Sequence, residues 1–215
     1  LDDDDYWLEN HLEISVKTLQ GSNAVLCYSG VNVFEHVSGN IVRTMLPDPK
    51  KDALDLLRHN FITTSSVLMD KSAIGSVYFD EEASFGEDWT FWIIAINFRK
   101  IISTGTYTLM YRTHTTGNLM NQKITQIEKE RLRNIDFINT FFKGNELYKK
   151  HINTFIQSIY LQLSRDFLNI KMTDKAMHYF LRCIKDFPVS SFFNSRLYFV
   201  LLRIVKTKWQ LAFKK

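Results

Sequence analysis

Apolar and polar positions along this chain of 215 residues mix strand and helix patterns in the front half and follow helical spacing alone beyond it. In YWLENHLEISVKTLQ, Trp7, Leu8, Leu12 and Val16 recur near helical spacing and Gly21 ends the run, which predicts a helix opening at Tyr6. NAVLCYSGVNVFE and GNIVRTML read as extended segments, the second stopped by Pro47. PKKDALDLLRHN reads as a short helix with Pro49 near its start. FITTSSVLM is rich in β-branched residues and reads as a strand, GSVYFDEEASFG as a loop, EDWTFWIIAINF as an apolar helix and IISTGTYTLMYRTH as a strand. Such mixing of strands and helices is what an α/β domain shows.

Beyond Asn118 the strands stop. KITQIEKERLRNIDFINTFF, ELYKKHINTFIQSIYLQLSRDFL, TDKAMHYFLRCIKDF and SRLYFVLLRIVKTKWQLAF all read as helices, broken at Gly144, at Asn169 to Thr173 and at Pro188. Thr173 and Asp174 are expected to cap the third. The pattern divides the chain into residues 1–118 and a helical extension over 119–215, with the boundary between Thr115 and Leu119.

Charge sharpens that division. The net charge of +4 combines 9 Lys and Arg against 16 Asp and Glu up to Asn118, a net −7, with 18 against 7 afterwards, a net +11. A basic extension beside an acidic front half implies different surroundings for each. With 45% hydrophobic and 14% aromatic residues and only 3 prolines, the chain is globular rather than disordered. Cys27 and Cys183 stand far apart, in no metal-ligand spacing, and read as free thiols of a reducing compartment. No stretch approaches the roughly 20 apolar residues that span a bilayer.

The chemistry concentrates at the start. LDDDDYWLEN carries four adjacent aspartates, which repel one another. Asp5 could cap a helix beginning at Tyr6, with Asp4 favouring its positive end. Alternatively, carboxylates on an extended turn suit a hard divalent cation. LDDDDYWLENHLE resembles the metal-binding stretch of family 2 glycosyltransferases, with Leu1, Asp2, Asp4, Asp5, Trp7, Leu12 and Glu13 in the matching positions. Glu87, Asp88 and Trp89 are similar to that family's Glu-Asp-Trp motif. Tyr111, Arg112 and His114 are similar to the Tyr-Arg-x-His that closes its catalytic domain. The resemblance covers roughly Leu1 to Asn121.

The resemblance implies part of a GT-A fold (the nucleotide-diphospho-sugar transferase fold), followed by an all-helical extension. It implies an inverting transferase that moves a sugar from a nucleotide-diphospho-sugar, a UDP-sugar first, to the hydroxyl of a saccharide or lipid-linked saccharide in cell-surface polysaccharide synthesis. Asp2, Asp4 and His114 would hold Mn²⁺ or Mg²⁺, and Asp88 would be the general base. Asp5, Glu87, Trp89 and Arg112 would contact substrate, and the hydroxyl row that includes Thr64, Ser65 and Ser66 would line the acceptor channel or simply be strand composition. The family's first strands, which bind the nucleobase, would lie ahead of Leu1. The chain, which opens without Met, is therefore expected to be part of an enzyme and inactive by itself.

The last helix, RLYFVLLRIVKTKWQLAFKK, sets an apolar block among basic residues, as helices at a membrane interface do. Residues 196–215 are accordingly candidates for contact with the cytoplasmic face of the plasma membrane, in a protein otherwise cytoplasmic. The alternative is a helix packed on its neighbours with its basic face in water. No nucleic-acid motif accompanies the charge, so nucleic acid is not expected as a partner. The rival functional reading is a non-catalytic interaction module whose transferase domain is a relic.

Overall fold

A computed structural model describes residues 1–113, 124–188 and 195–212. It divides into two compact units, Leu1–Asn121 and Gln122–Lys215. The expected boundary between Thr115 and Leu119 lies outside the described residues.

The first unit is mixed α/β. Its elements are β1 (Tyr6–Trp7), α1 (His11–Gln20), β2 (Leu26–Glu35), β3 (Ile41–Met45), β4 (Val67–Met69), α2 (Lys71–Ile74), α3 (Glu87–Ile96) and β5 (Ile101–Thr113). They form an open sheet in the order β1-β5-β2-β3, with β4 also paired to β2. β2 and β5 run parallel, from Leu26 beside Ile101 to Glu35 beside Thr113, and the other pairs are antiparallel. Parallel partners need a crossover, and α3 lies on it. That helix is apolar on every side and buried from Trp89 to Ile96, as a helix enclosed by its own domain must be. It stops at Asn97, whose left-handed backbone (φ 47°) lets its N–H reach the carbonyl of Ile93. Leu26, Cys27, Tyr28, Leu56, Leu57 and Leu109 complete the densest part of the core.

Three expected elements are corrected. No helix opens at Tyr6: Tyr6 and Trp7 pair with Met110 and Leu109 of β5, and α1 begins at His11. Asp5 therefore caps nothing. The apolar stripe of α1 is also displaced, because His11 and Ser15 face inward while Leu12 and Val16 are exposed. PKKDALDLLRHN forms only a 3₁₀ turn at Asp55–Leu57. There the Asp52 carboxylate takes the N–H groups of Leu54 and Asp55, offering the backbone an alternative to a helix. In FITTSSVLM, Thr64–Ser66 is likewise a 3₁₀ turn, tightened by the Ser66 hydroxyl donating to the Thr63 carbonyl at 2.6 Å. Only Val67–Met69 is strand.

The second unit is helical: α4 (Ile124–Phe141), α5 (Glu146–Asn169), α6 (Thr173–Asp186) and α7 (Ser195–Ala212) occupy the four predicted segments. α5 packs against α4, α6 and α7, burying Phe155, Ile159, Leu163 and Phe167. Asn145 caps it, its side-chain oxygen accepting the Tyr148 N–H at 2.9 Å. Glu128 on α4 receives both Lys175 Nζ and the Tyr179 hydroxyl of α6 at 2.6 Å. Thr173 does not cap α6: it is already helical, Met172 precedes it without a side-chain cap, and Asp174 sits in the first turn. Cys27 and Cys183 are both buried free thiols. Among the described residues no helix is long and apolar enough to cross a membrane.

Gly30 sits where the sheet leaves no room for a side chain. A Cβ there would lie 2.7 Å from the Met45 carbonyl oxygen and 2.8 Å from Pro47 Cδ, beside the register shift between β2 and β5. Gly30→Ala is expected to destabilise the first unit by about 1–3 kcal/mol, read from the midpoint of urea unfolding.

Candidate functional site

In an open α/β sheet, ligands gather at the carboxyl ends of the parallel strands. Here those ends are Glu35 of β2 and Thr113 of β5. The aspartate stretch is brought to that edge because β1 runs antiparallel to β5, which sets Asp5 beside the end of the longer strand. The stretch itself is a turn, closed by Asp5 N–H donating to the Asp2 carbonyl at 3.3 Å.

Asp5 is the buried member, at 8% exposure. Its Oδ1 accepts the backbone N–H of Arg112 at 3.0 Å. Its Oδ2 has no hydrogen-bond partner among the described residues. Burial raises its pKa above the ordinary 3.8; the Arg112 N–H and Ser65 hydroxyl oppose this, and the Asp4 and Asp2 charges add to it. The same three carboxylates, after burial, raise the Tyr111 phenol, so Tyr111 lies within their field. Arg112 clamps the turn from the side: its Nε donates to the Asp4 carbonyl at 2.8 Å, and its Nη1 lies 2.9 Å from His36 Nδ1. The guanidinium also stands 5.1 Å from the Phe34 ring centroid.

The Thr64–Ser66 turn joins this cluster to Asp88. Ser65 Oγ accepts the Asp2 N–H at 3.0 Å, and its carbonyl accepts the Trp7 indole N–H at 2.6 Å. One residue earlier, the Thr64 hydroxyl lies 3.5 Å from Asp88 Oδ2, which also accepts Asn60 Nδ2 at 2.7 Å. Asp88 Oδ1 accepts its neighbour's N–H, from Trp89, at 2.6 Å. Burial raises the Asp88 pKa despite these donors, and the adjacent Glu87 charge reinforces the rise.

The predicted site residues thus fall into distinct environments. Asp2, Asp4, Asp5, Ser65 and Arg112 form one connected group, and Thr64 ties Asp88 to its edge. Glu87 opens α3 and is half-buried. Trp89 does not present its ring to a pocket: it is buried, and its indole N–H donates to the Leu56 carbonyl at 2.5 Å. Ser65 and Ser66 are also buried, so as side chains they brace a turn rather than line an open channel. His114 lies outside the described residues. Among the described residues no group of three or more His, Cys, Asp or Glu is arranged to hold a metal ion.

Two contributors escape a reading of the sequence. Asn60 positions Asp88 across 28 residues, and nothing in RHNF marks it. His36 reaches Arg112 because β2 and β5 end together, a fact visible once their parallel pairing is known.

The folded chain holds a proton on Asp5 to higher pH than the unfolded chain does. Between the two pKa values the folded state binds more protons, so stability falls as pH rises through that window. Asp5→Asn keeps an oxygen for the Arg112 N–H and removes the buried charge. It is expected to stabilise the protein at neutral pH by about 1 kcal/mol. The gain should vanish below the unfolded value of 3.8, as read from thermal melts across acid and neutral pH. No family model and no curated protein matches the chain.

Proposed function

We propose that the first unit is the metal-side and acceptor-side part of an inverting glycosyltransferase of the GT-A kind. It would move a sugar from a nucleotide-diphospho-sugar, a UDP-sugar first, to a saccharide or lipid-linked saccharide hydroxyl. The observation that carries this reading is the Thr64–Ser66 turn. It holds the aspartate stretch at Ser65 and Asp88 at Thr64, on consecutive residues.

Asp88 is the general base. Three donors hold its carboxylate, and burial raises its proton affinity, as a base requires. As the acceptor oxygen attacks the anomeric carbon, its proton passes to Asp88. The new carbon–oxygen bond forms on the face opposite the breaking one, whose electron pair leaves with the diphosphate. Asp2 and Asp4, with His114, would hold a divalent cation, and hard carboxylate oxygens on one turn suit it. When bound, Mn²⁺ or Mg²⁺ supplies Lewis-acid stabilisation of the diphosphate charge. Arg112 sets a fixed positive charge on the leaving-group side, and His36 orients its guanidinium.

The test is nucleotide release from a panel of UDP- and GDP-sugars, with Mn²⁺ or EDTA. It uses the full natural protein that carries this chain. Release should require the metal and fall at least about 100-fold in Asp88→Asn. Asn60→Ala should retain part of the rate with its acid limb shifted, because the base has lost a donor. Metal-independent release, or an unchanged rate in Asp88→Asn, would sink the assignment. For the 215-residue chain alone, Mn²⁺ should raise the melting temperature, and Asp2→Asn combined with Asp4→Asn should abolish that rise.

A further inference from the structure

α7 has two apolar faces. Leu197, Val200 and Ile204 are buried where the helix packs on α5 and α6. Tyr198, Leu201, Leu202 and Val205 recur at i, i+3, i+4 and i+7 and are exposed, Leu202 by 69% and Val205 by 58%. At about 100° per residue, this second stripe adjoins the first, its centre about 120° further round the helix. One stripe is enough to hold a helix in a bundle, so packing within the unit leaves the outer one unexplained.

The outer stripe is basic along one border, where Lys206 adjoins Leu202 and the two arginines follow further round. Arg196, Arg203 and Lys206 recur at i, i+7 and i+10, with the exposed Phe199 between them. Arg203 is held by its Nη2 donating to Asn169 Oδ1 at 2.8 Å. The positive field extends beyond α7, since residues 119–215 carry 18 Lys and Arg against 7 Asp and Glu. Side chains from residue 208 onward lie outside the described residues and carry none of this argument.

We propose that the outer face of α7 docks on an anionic lipid surface. The helix lies along the headgroups, Tyr198, Leu201, Leu202 and Val205 enter the acyl boundary, and the basic border meets the lipid charge. Lying on the bilayer, rather than crossing it, agrees with the absence of a spanning helix among the described residues. The inference rests on α7 and stands whether or not the first unit is a transferase.

Co-sedimentation of the 215-residue chain with vesicles tests it, using phosphatidylcholine alone or with about a third phosphatidylserine. The chain should pellet with the anionic vesicles, and binding should weaken steeply as salt rises. Leu202→Gln combined with Val205→Gln should weaken binding about tenfold or more, with circular dichroism confirming that the helices persist. Lys206→Glu should weaken binding to the anionic vesicles. Failure to pellet with either vesicle, or binding indifferent to the double variant, would overturn the proposal. So would a dimer, seen by sedimentation velocity, that the double variant dissolves; the face would then belong to a second copy.

Discussion

The parallel pairing of β2 with β5 is the constraint on which the first unit depends. It requires a crossover, and the crossover supplies α3, whose apolar surface fills the core. It brings two strand ends to one edge, setting His36 beside Arg112. It also offers β5 a free side, on which the short β1 pairs and so delivers the acidic turn. A one-residue slip of β1 would turn Tyr6 and Trp7 to opposite faces. The Trp7 indole would then lose the Ser65 carbonyl.

Where periodicity was strong, the sequence announced the structure. α3, β5 and the four helices of the second unit match the predicted segments to within two residues, because long runs without breakers leave few alternatives. Two of the failures share one cause. At Asp52, and at Thr63 with Ser66, short polar side chains or backbone carbonyls close local hydrogen bonds that compete with helix or strand, and spacing does not register them. α1 failed differently: its inward face is polar, with His11 bonded to Thr108 at 2.6 Å and stacked on Trp7 at 4.3 Å. A stripe sought among apolar residues pointed to the wrong side.

The candidate site was half legible. Adjacent aspartates are conspicuous, and so is an acidic pair opening an apolar helix. What could not be read is that Thr64 and Ser65 stand between them, or that Asn60 fixes Asp88, since these are contacts across 24 to 63 residues. Asp5 is itself buried beside this turn, with the Arg112 N–H and the Ser65 hydroxyl as its donors.

The shared turn has a thermodynamic consequence. Asp2 and Asp88 hang from consecutive residues, so displacing that peptide at one end moves the other. Whatever occupies the acidic end and alters the affinity of Asp88 for a proton must itself be bound more or less tightly, by the same factor, when Asp88 is protonated.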